Sequence, residues 1–591
     1  VTSPPISSAG SVTPEGARGI VPQTAREKAE GQVRQMEQAR ARKVQRWRDI
    51  QAYIAPFSAN VDPQSRAYDE DAVDVLDESI FYARNTLASF LYSGMTNPAR
   101  PWRQWVLPDP DLAESQAAKA WTWTLNERAA IVLAHSNFYE VMSGVYDEWP
   151  SFGTSVVLVE EDDEDVLRYV HLNVGSYALA DDHRGRCVAI SRRFLMTVDQ
   201  LVSRFAPKDA MGEPVLTDLS MFSEQTRKHI RDGRWQAEVE VAHLIRKNPK
   251  ARAGAVRPRD FAWSSDYWEW RSPREEGRDG FLAREGYREW PAMVFRWGRL
   301  AGDAYGTNYP GVQSLAAVKS AQAMEADLLM QVETQAKPPL VVPNELAGAS
   351  LLPAARNAVD TRAGMQVGPL HRTEPMAIRN TADVQNIVRE RIFSLWWTRL
   401  ILALTGQQSG DKTAREIEEI STEKLTVLGR VVEAAQSAFQ QGSDREFAIL
   451  SRRGMLPPAP EELQGRTLSI EYTSALAVAM RSLGLQNLVN YGLTMANVAR
   501  ETGDPSVLRR TDWSQWAQEV GQRSGIPPMV QRSDEQVAAL DAADREAASK
   551  MQEAEMAAKE AQAAKALGTT PMAQGGSALD ALVQGAGQGV V

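Results

Sequence analysis

The amino-acid sequence predicts a mainly helical α+β fold, and three observations carry that reading. Long stretches without proline repeat apolar residues every three or four positions, the spacing of an amphipathic helix. One block, residues 155–194, instead alternates apolar with polar positions and is rich in β-branched side chains, the habit of short strands. The length, 591 residues with 43% hydrophobic side chains, exceeds what one core organises. At roughly 100–200 residues per domain, about three or four substructures are expected.

Taken in order, residues 1–24 are rich in Ser, Pro and Gly and read as a disordered arm. Residues 24–54 turn helical and are basic between Arg26 and Arg48; a solvated helix face is favoured there over an interaction arm. A second helix fits 72–92 and precedes TNPARPWRQW, where Pro98 and Pro101 forbid helix. A third helical zone covers 112–149. The period then changes: 155–161, 167–173, 177–181 and 187–194 predict a small antiparallel sheet, with a further strand pair at 237–246 and 267–270. The rest, to about residue 300, reads as irregular and loaded with Trp.

Helices dominate thereafter. Residues 313–337 place Leu315, Val318, Ala321, Met324, Leu328 and Val332 three or four apart, and Pro338 and Pro339 stop the run. Residues 340–380 read as extended segments and turns. A helix over 381–404 carries Val384, Val388, Ile392 and Leu395 on one face. After the polar loop 405–413, Thr413 and Glu416 match a capping box, and no proline follows until Pro457. A helix of ~40 residues is ~60 Å long, the dimension of a spine in a larger assembly. Residues 468–474 read as one more strand, and 475–502 and 512–522 as helices. From the S-x-x-Q box at Ser533 an Ala/Glu-rich helix runs to 567; its weak apolar face needs neighbours. Residues 568–591, rich in Gly, Ala and Gln, read as disordered.

The composition bounds the function. With 66 Lys+Arg against 76 Asp+Glu the formal charge is −10. That balance argues against a surface that grips nucleic acid everywhere, since phosphate binding draws on Lys and Arg. It does not exclude a protein that must let DNA pass without sticking. The single cysteine, Cys187, excludes an internal disulfide and a Cys-based zinc site, and suits a reducing compartment. The most apolar stretch, 395–404, is interrupted by Thr398 and Arg399 and falls far short of the ~20 residues of a membrane span. The first residues, VTSPPISSAGSVTPEG, lack a charged-then-apolar signal pattern, so a soluble, cytosol-made protein is expected.

Motifs for chemistry fail on spacing. In GQQSGDKT (406–413) only three residues separate the glycines and Asp411 intrudes before Lys412, so no phosphate-cradling loop forms. The acidic run Glu160–Asp165 has no glycine to shape a cation loop and reads as a solvated hairpin. The six histidines, at 135, 171, 183, 229, 243 and 371, contain no H-E-x-x-H and no i,i+4 pair. His171 and Cys187 both fall in strands, a thin basis for a nucleophile and base; Ser176 lacks the G-x-S-x-G elbow. Of the 16 Trp, those at 102, 105, 121, 123, 396 and 397 have apolar neighbours, and core packing is favoured over base stacking, which needs a basic groove. No catalytic residue, metal or cofactor is expected.

Five segments in order resemble the podovirus-type head-to-tail connector, or portal, proteins of tailed bacteriophages. They are AVDVLDESIFYARNTLASFLYSGMTNPARPWRQWVLPDPDL (72–112), the "FGT" hairpin region 151–205, YGTNYPGVQSLAAVKSAQAMEADLLMQVETQAKPPLVVP (305–343), TAREIEEISTEKLTVLGRVV (413–432), and RRGMLPPAP with IEYTSALAVAMRS. The resemblance covers most of residues 25–500 and implies a twelve-subunit ring around a DNA channel. It implies a wing (25–304), a stem of two helices (305–337 and 381–404), a small β-containing clip between them (338–380), and a tunnel loop (405–413). Wing and crown elements would follow (414–532), with a C-terminal crown helix (533–567). The tunnel-loop residues Gln407, Gln408, Ser409, Gly410, Asp411 and Lys412 would line the channel, and Glu325, Asp327 and Glu333 are candidates for the stem lumen. The implied partners are further copies of the chain, the major capsid protein, a scaffolding protein, the terminase large subunit, tail adaptor and tail proteins, internal core proteins, and double-stranded DNA read without sequence specificity. Other virion components, a scaffold or a tail adaptor, are the alternatives, and a packaging enzyme a more distant one.

Overall fold

The structure, a computed structural model, describes residues 24–57, 60–62, 75–109, 112, 115–272, 279–338, 340–341, 368–369, 374–404, 414–466, 468–481, 485–523 and 534–569. The tunnel-loop residues 405–413, the Thr413–Glu416 cap, most of the 338–380 segment and both terminal tails lie outside these. Two compact units are present, the first comprising Val1–Gln104, Leu125–Pro457 and Ile470–Leu483, the second Trp105–Thr124, Pro458–Ser469 and Gly484–Val591.

Helix α1 (Ala25–Tyr53) opens on a capping box in which Thr24 and Glu27 bond each other's backbone. Next come α2 (Ser79–Met95) and β1 (Arg103–Val106). The third helical zone is two helices, α3 (Gln116–His135) and α4 (Phe138–Phe152). Strands β2 (Thr154–Glu161), β3 (Leu167–Leu172), β4 (Tyr177–Asp181) and β5 (Cys187–Thr197) fall where alternation predicts them, but not in one sheet. Two short helices, α5 (Val198–Phe205) and α6 (Glu224–Arg231), precede β6 (Glu238–Lys247), β7 (Trp263–Glu269), β8 (Ala283–Tyr287) and β9 (Ala292–Arg296). The sheets run β3-β2-β9 and β4-β5-β6-β7-β8, with antiparallel pairing throughout. The chain steps between them at the turn after β3. There Gly175 takes φ +92°, and a Cβ would strike the Val61 backbone at 2.2 Å.

The region to residue 300 is therefore sheet rather than irregular. Strand β9 is buried along its whole length and shows no alternation to read. The basic run of α1 also needs correction: not all of it is solvated. Ala29, Val33 and Met36 pack on Ala242, Leu244, Trp268 and Trp270, which draws two arginines into the core. Arg26 donates to the carbonyls of Glu269 (3.0 Å) and Gly280 (3.1 Å), and Arg40 to those of Tyr177 (2.6 Å) and Gly175. Under the adjoining part of the sheet, Val198, Leu201, Val202, Phe222 and Ile230 close a second cluster on Val241 and Tyr267.

Helix α7 (Pro310–Ala336) is followed by the short pair β10 (Leu340–Val341) and β11 (Gly368–Pro369). Helix α8 (Pro375–Leu395) starts before the predicted residue 381, with proline at N1, where its missing N–H costs nothing. The predicted 381–404 helix is broken. Trp397 takes φ +57°, separating α8 from α9 (Thr398–Leu404). Such a conformation costs about 1–2 kcal/mol for a side-chain-bearing residue. Tertiary packing offsets it: the Trp396 indole donates to Ser314 Oγ at 2.9 Å, and Trp397 packs on Trp297 at 5.5 Å between centroids.

Helix α10 (Ala414–Arg452) is 39 residues long, as the proline-free run predicts. Its residues Leu428, Val431, Val432, Ala435, Ala438 and Phe439 are buried in the first unit. Strand β12 (Ser469–Tyr472), which pairs with β1, and α11 (Ala475–Arg481) follow. The second unit holds α12 (Leu485–Thr502), α13 (Trp513–Arg523) and α14 (Asp534–Thr569). Within it Trp516 donates to the Leu488 carbonyl at 3.0 Å, and Leu107, Ala118 and Leu463 form a small core. Side chains 538–562 of α14 are all exposed.

Candidate functional site

Helices α7 and α8 pack antiparallel. Ser314 meets Trp396, Glu325 meets Gln385 and Arg389, and Gln331 meets Thr381 (3.3 Å). At 1.5 Å per residue, the 27-residue α7 is about 40 Å long. One end of this hairpin is embedded and the other is not. Leu315, Val318, Ala321, Val388 and Ile392 are buried near the base, whereas Leu329, Met330, Val332, Met376, Val384 and Ile387 are exposed, Met330 to 67%.

A buried polar knot ties the hairpin to the segment before α2. Gln322 accepts from the backbone N–H of Leu76 (2.8 Å) and Asp77 (2.9 Å) and donates to the Asp77 carbonyl (2.9 Å), so its amide is used at both ends. Arg389 bridges Asp77 Oδ2 (2.8 Å) and Glu325 Oε2 (2.9 Å). Burial alone would raise the Asp77 carboxyl, but hydrogen bonds from Ser79 and Arg389 hold it below the usual carboxylate range.

The predicted site residues separate in this frame. Glu325 is turned onto Gln385 and Arg389, while Asp327 and Glu333 are exposed. The six tunnel-loop residues Gln407, Gln408, Ser409, Gly410, Asp411 and Lys412 lie outside the described residues. Asp77, Gln322 and Arg389 escaped the sequence reading. A glutamine and an arginine standing on the apolar faces of two helices were the signal that each would find a partner.

The same chain packs polar groups tightly elsewhere. The buried Glu446 of α10 takes the Arg103 guanidinium and the Tyr169 hydroxyl (2.7 Å), and Arg103 also reaches Ser443. Further along, Arg445 donates to the Val159 carbonyl (2.6 Å), Arg452 pairs with Glu289 (2.7 Å), and Arg453 pairs with Glu161 (2.7 Å) and Asp163 (2.8 Å). The acidic hairpin is thus met by two arginines from the end of α10 rather than left to solvent alone.

Glu148, His171 and Ser155 superficially resemble a hydrolase triad. Both Glu148 Oε2 (2.7 Å) and Ser155 Oγ (2.9 Å) sit on the same imidazole nitrogen, Nε2, whereas a relay needs the acid on Nδ1 and the nucleophile on Nε2. Ser155 is also fully buried. Cys187 is buried too, and burial pushes its thiol up to about 12, away from thiolate chemistry. Of the six tryptophans singled out in the sequence, Trp102, Trp105 and Trp396 are buried; Trp123 is half exposed.

His171 yields a pH prediction. Burial opposes its protonation, but Glu148 outweighs that and raises its pKa above the ordinary value. A raised folded pKa stabilises fully below the unfolded value of about 6.5 and is lost as pH rises through the folded one. The melting temperature should therefore decline on the alkaline side of pH 6.5, and His171→Gln should flatten that decline. An unchanged slope in the variant would remove this pair from the stability balance. Asp77, with a depressed pKa, acts in the opposite sense, losing its contribution as pH falls through its folded value.

A family model described as bacteriophage head to tail connecting protein matches residues 26–531. The portal protein of Salmonella phage epsilon15 is 29% identical over 570 residues, which cover 96% of this chain and 99% of the relative. The probable portal protein of Bordetella phage BPP-1 is 30% identical over 515 residues, 84% of this chain and 89% of that one. Among solved structures, a chain of the virion of a native gene transfer agent particle aligns over 70% of this chain and 86% of its own at 9% identity, with a TM-score of 0.33, too low to equate the folds. Among the described residues no helix is long and apolar enough to cross a membrane. The end-to-end family match, together with two relatives aligned over most of their length, establishes that this chain belongs to the bacteriophage head-to-tail connecting protein family.

Proposed function

We propose that this connector works as a closed ring of about twelve copies at one capsid vertex, around a channel through which double-stranded DNA is packaged and later ejected. The observation that carries the ring is the free half of the α7–α8 hairpin. Six large apolar side chains stand in water on two helices there, and exposed apolar side chains gathered on one hairpin mark an interface to be made. Neighbouring copies set side by side would cover it. In this reading α7 and α8 are the stem, 338–380 the clip, 405–413 the tunnel loop and α14 the crown. The unit rich in sheet would be the wing.

The channel is passive. DNA carries one charge per ~1.7 Å, so a bore of mixed or negative sign keeps friction low, and screening over ~8 Å leaves only lining residues to act. Gln407, Gln408, Ser409, Gly410, Asp411 and Lys412 would provide short-range polar contacts at the narrowest part, with Asp327 and Glu333 facing solvent on the stem. Neither cofactor nor catalytic residue is needed. The energy for packaging would come from a terminase docked on the clip, while capsid, scaffolding, internal core and tail proteins would meet the outer surfaces. The chain would be made in the host cytoplasm and kept in the virion.

Mass photometry tests the ring. A closed cyclic assembly of about twelve 65.3 kDa chains, near ~0.8 MDa, is expected. A chain that remains monomeric or dimeric at high concentration, with scaffolding protein present, would overturn the reading. Removing residues 407–411 should leave that mass unchanged while packaged DNA is lost; loss of the ring would place the loop in the subunit interface instead.

A further inference from the structure

The acidic chain carries a conspicuous local exception to its charge. The loop joining β6 to β7, KNPKARAGAVRPRD, holds Lys247, Lys250, Arg252, Arg257 and Arg259, all exposed, against the single carboxylate Asp260. None of the five forms an ion pair with a described residue, although arginines elsewhere in this chain find carboxylates repeatedly. The β8–β9 turn adds Arg288, whose guanidinium lies 4.8 Å from the Phe261 ring and likewise has no carboxylate among the described residues. Of the carboxylates on that side, Glu289 is already taken by Arg445 and Arg452.

The loop is built, not slack. Asn248 Nδ2 donates to the carbonyls of Arg259 (3.0 Å) and Phe261 (2.9 Å), its backbone N–H to Ala262 (2.9 Å), and the Arg252 N–H to Asp260 (3.0 Å). Its returning limb lies against β8 at Gly286, where a Cβ would come within 2.2 Å of the Pro258 carbonyl. A fixed convex tip results, with Val256 84% exposed and cations on both limbs.

We propose that this loop is a docking site for the phosphate backbone of duplex DNA, separate from the channel. The choice of DNA rests on the connector reading above. The loop's shape supports it over an acidic peptide. Strands β6 and β7 are each paired on both sides, so neither offers an edge for strand addition; β8, the edge strand, has the loop's returning limb against it at Gly286; and a convex tip offers no groove for a helix. Arginine forks match phosphate oxygens bidentately. Of the aromatic rings beside the loop, Phe261 is covered by Arg288, and Trp263 and Trp290 pack edge-on against one another, so contact with the phosphate backbone is favoured over base stacking or sequence readout. Binding is therefore electrostatic and independent of sequence.

The test uses the full-length protein and a short fluorescein-labelled duplex, followed by anisotropy between about 50 and 200 mM NaCl. Three proteins are compared: the native chain, Arg252→Gln/Arg257→Gln/Arg259→Gln, and the charge-matched Arg545→Gln/Lys550→Gln/Lys559→Gln on the exposed α14. The loop variant should bind at least about tenfold more weakly at low salt. Its log–log salt slope should be smaller by about 3, one for each phosphate that is no longer neutralised. The α14 variant should stay within about twofold of native. Equal weakening in both variants would reduce the effect to net charge and overturn the proposal, as would unchanged binding by the loop variant. Polyglutamate bound more tightly than DNA by the native chain, and not by the loop variant, would make the loop a protein-docking site and overturn it as well. The assembly mass of each sample is recorded alongside. A ring without loop-dependent DNA binding sinks only this inference, whereas absence of the ring sinks the connector reading.

Discussion

Replacing Glu446 by Ala should cost the first unit about 3–5 kcal/mol, the range seen when one partner of a buried ion pair is removed. Glu446 is fully buried, and its two oxygens are occupied by Arg103 and by the Tyr169 hydroxyl. Burial would lower the Arg103 pKa, but Glu446 and the nearby tyrosines reverse that and raise it, so the guanidinium stays charged in a dry site. Without Glu446 that charge loses this carboxylate and keeps neutral contacts such as Ser443 and the face of Trp102. The double variant Arg103→Met/Glu446→Leu should recover most of the loss, because apolar replacements of similar volume have no charge to desolvate. Calorimetric melting of the three proteins decides the matter. A single variant that melts within about 1 kcal/mol of native would show that water reaches the pair, and that the link from α10 to β1 and β3 is carried by packing alone.

The second large effect is expected at Gly306. Its amide donates to Thr154 Oγ1 at 2.7 Å, and a Cβ there would sit 1.8 Å from the Gly153 carbonyl, which itself accepts from Trp297. Gly311 repeats the situation against the Ser151 carbonyl at 1.9 Å. The obstacle in both cases is backbone, which cannot rotate away as a side chain can. Gly306→Ala should therefore cost about 3 kcal/mol or more, at or beyond the top of the usual overpacking range, and lower the soluble yield. Gly302 is the control. It has positive φ but open space around it, so Gly302→Ala should cost only about 1 kcal/mol. Equal melting temperatures for the two variants would mean that the junction of β2, β9 and α7 relaxes freely.

Elements whose signals are local could be read from sequence. The end of the Ser-, Pro- and Gly-rich arm at residue 24, the double proline after α7, and the proline-free run of α10 each placed a helix boundary to within a few residues. What escaped depends on distant partners. Strand β9 pairs with β2 across more than a hundred residues, and its fully buried AMVFR has no polar alternation to betray a strand. The break at Trp397 comes from Ser314 and Trp297, residues remote in sequence, so a continuous helix was the natural reading of 381–404. The candidate site divides along the same line. That two helices flank a proline-rich segment was legible. That Glu325 turns toward Gln385 and Arg389, and that Asp77 anchors the hairpin base, required both helices in place.

The long helix α10 has a mechanical consequence. From Leu428 onward it is seated in the first unit, and over its last turns Arg445, Arg452 and Arg453 bolt it to β2, the acidic hairpin and the β8–β9 turn. At 1.5 Å per residue it is a beam of about 58 Å, clamped along its C-terminal side and beginning at Ala414. A rigid cantilever does not absorb a load; it hands the bending moment to its mounting. Any push on the N-terminal end of this helix would be felt in the three-stranded sheet, some tens of ångströms away, before it could dissipate in the helix itself.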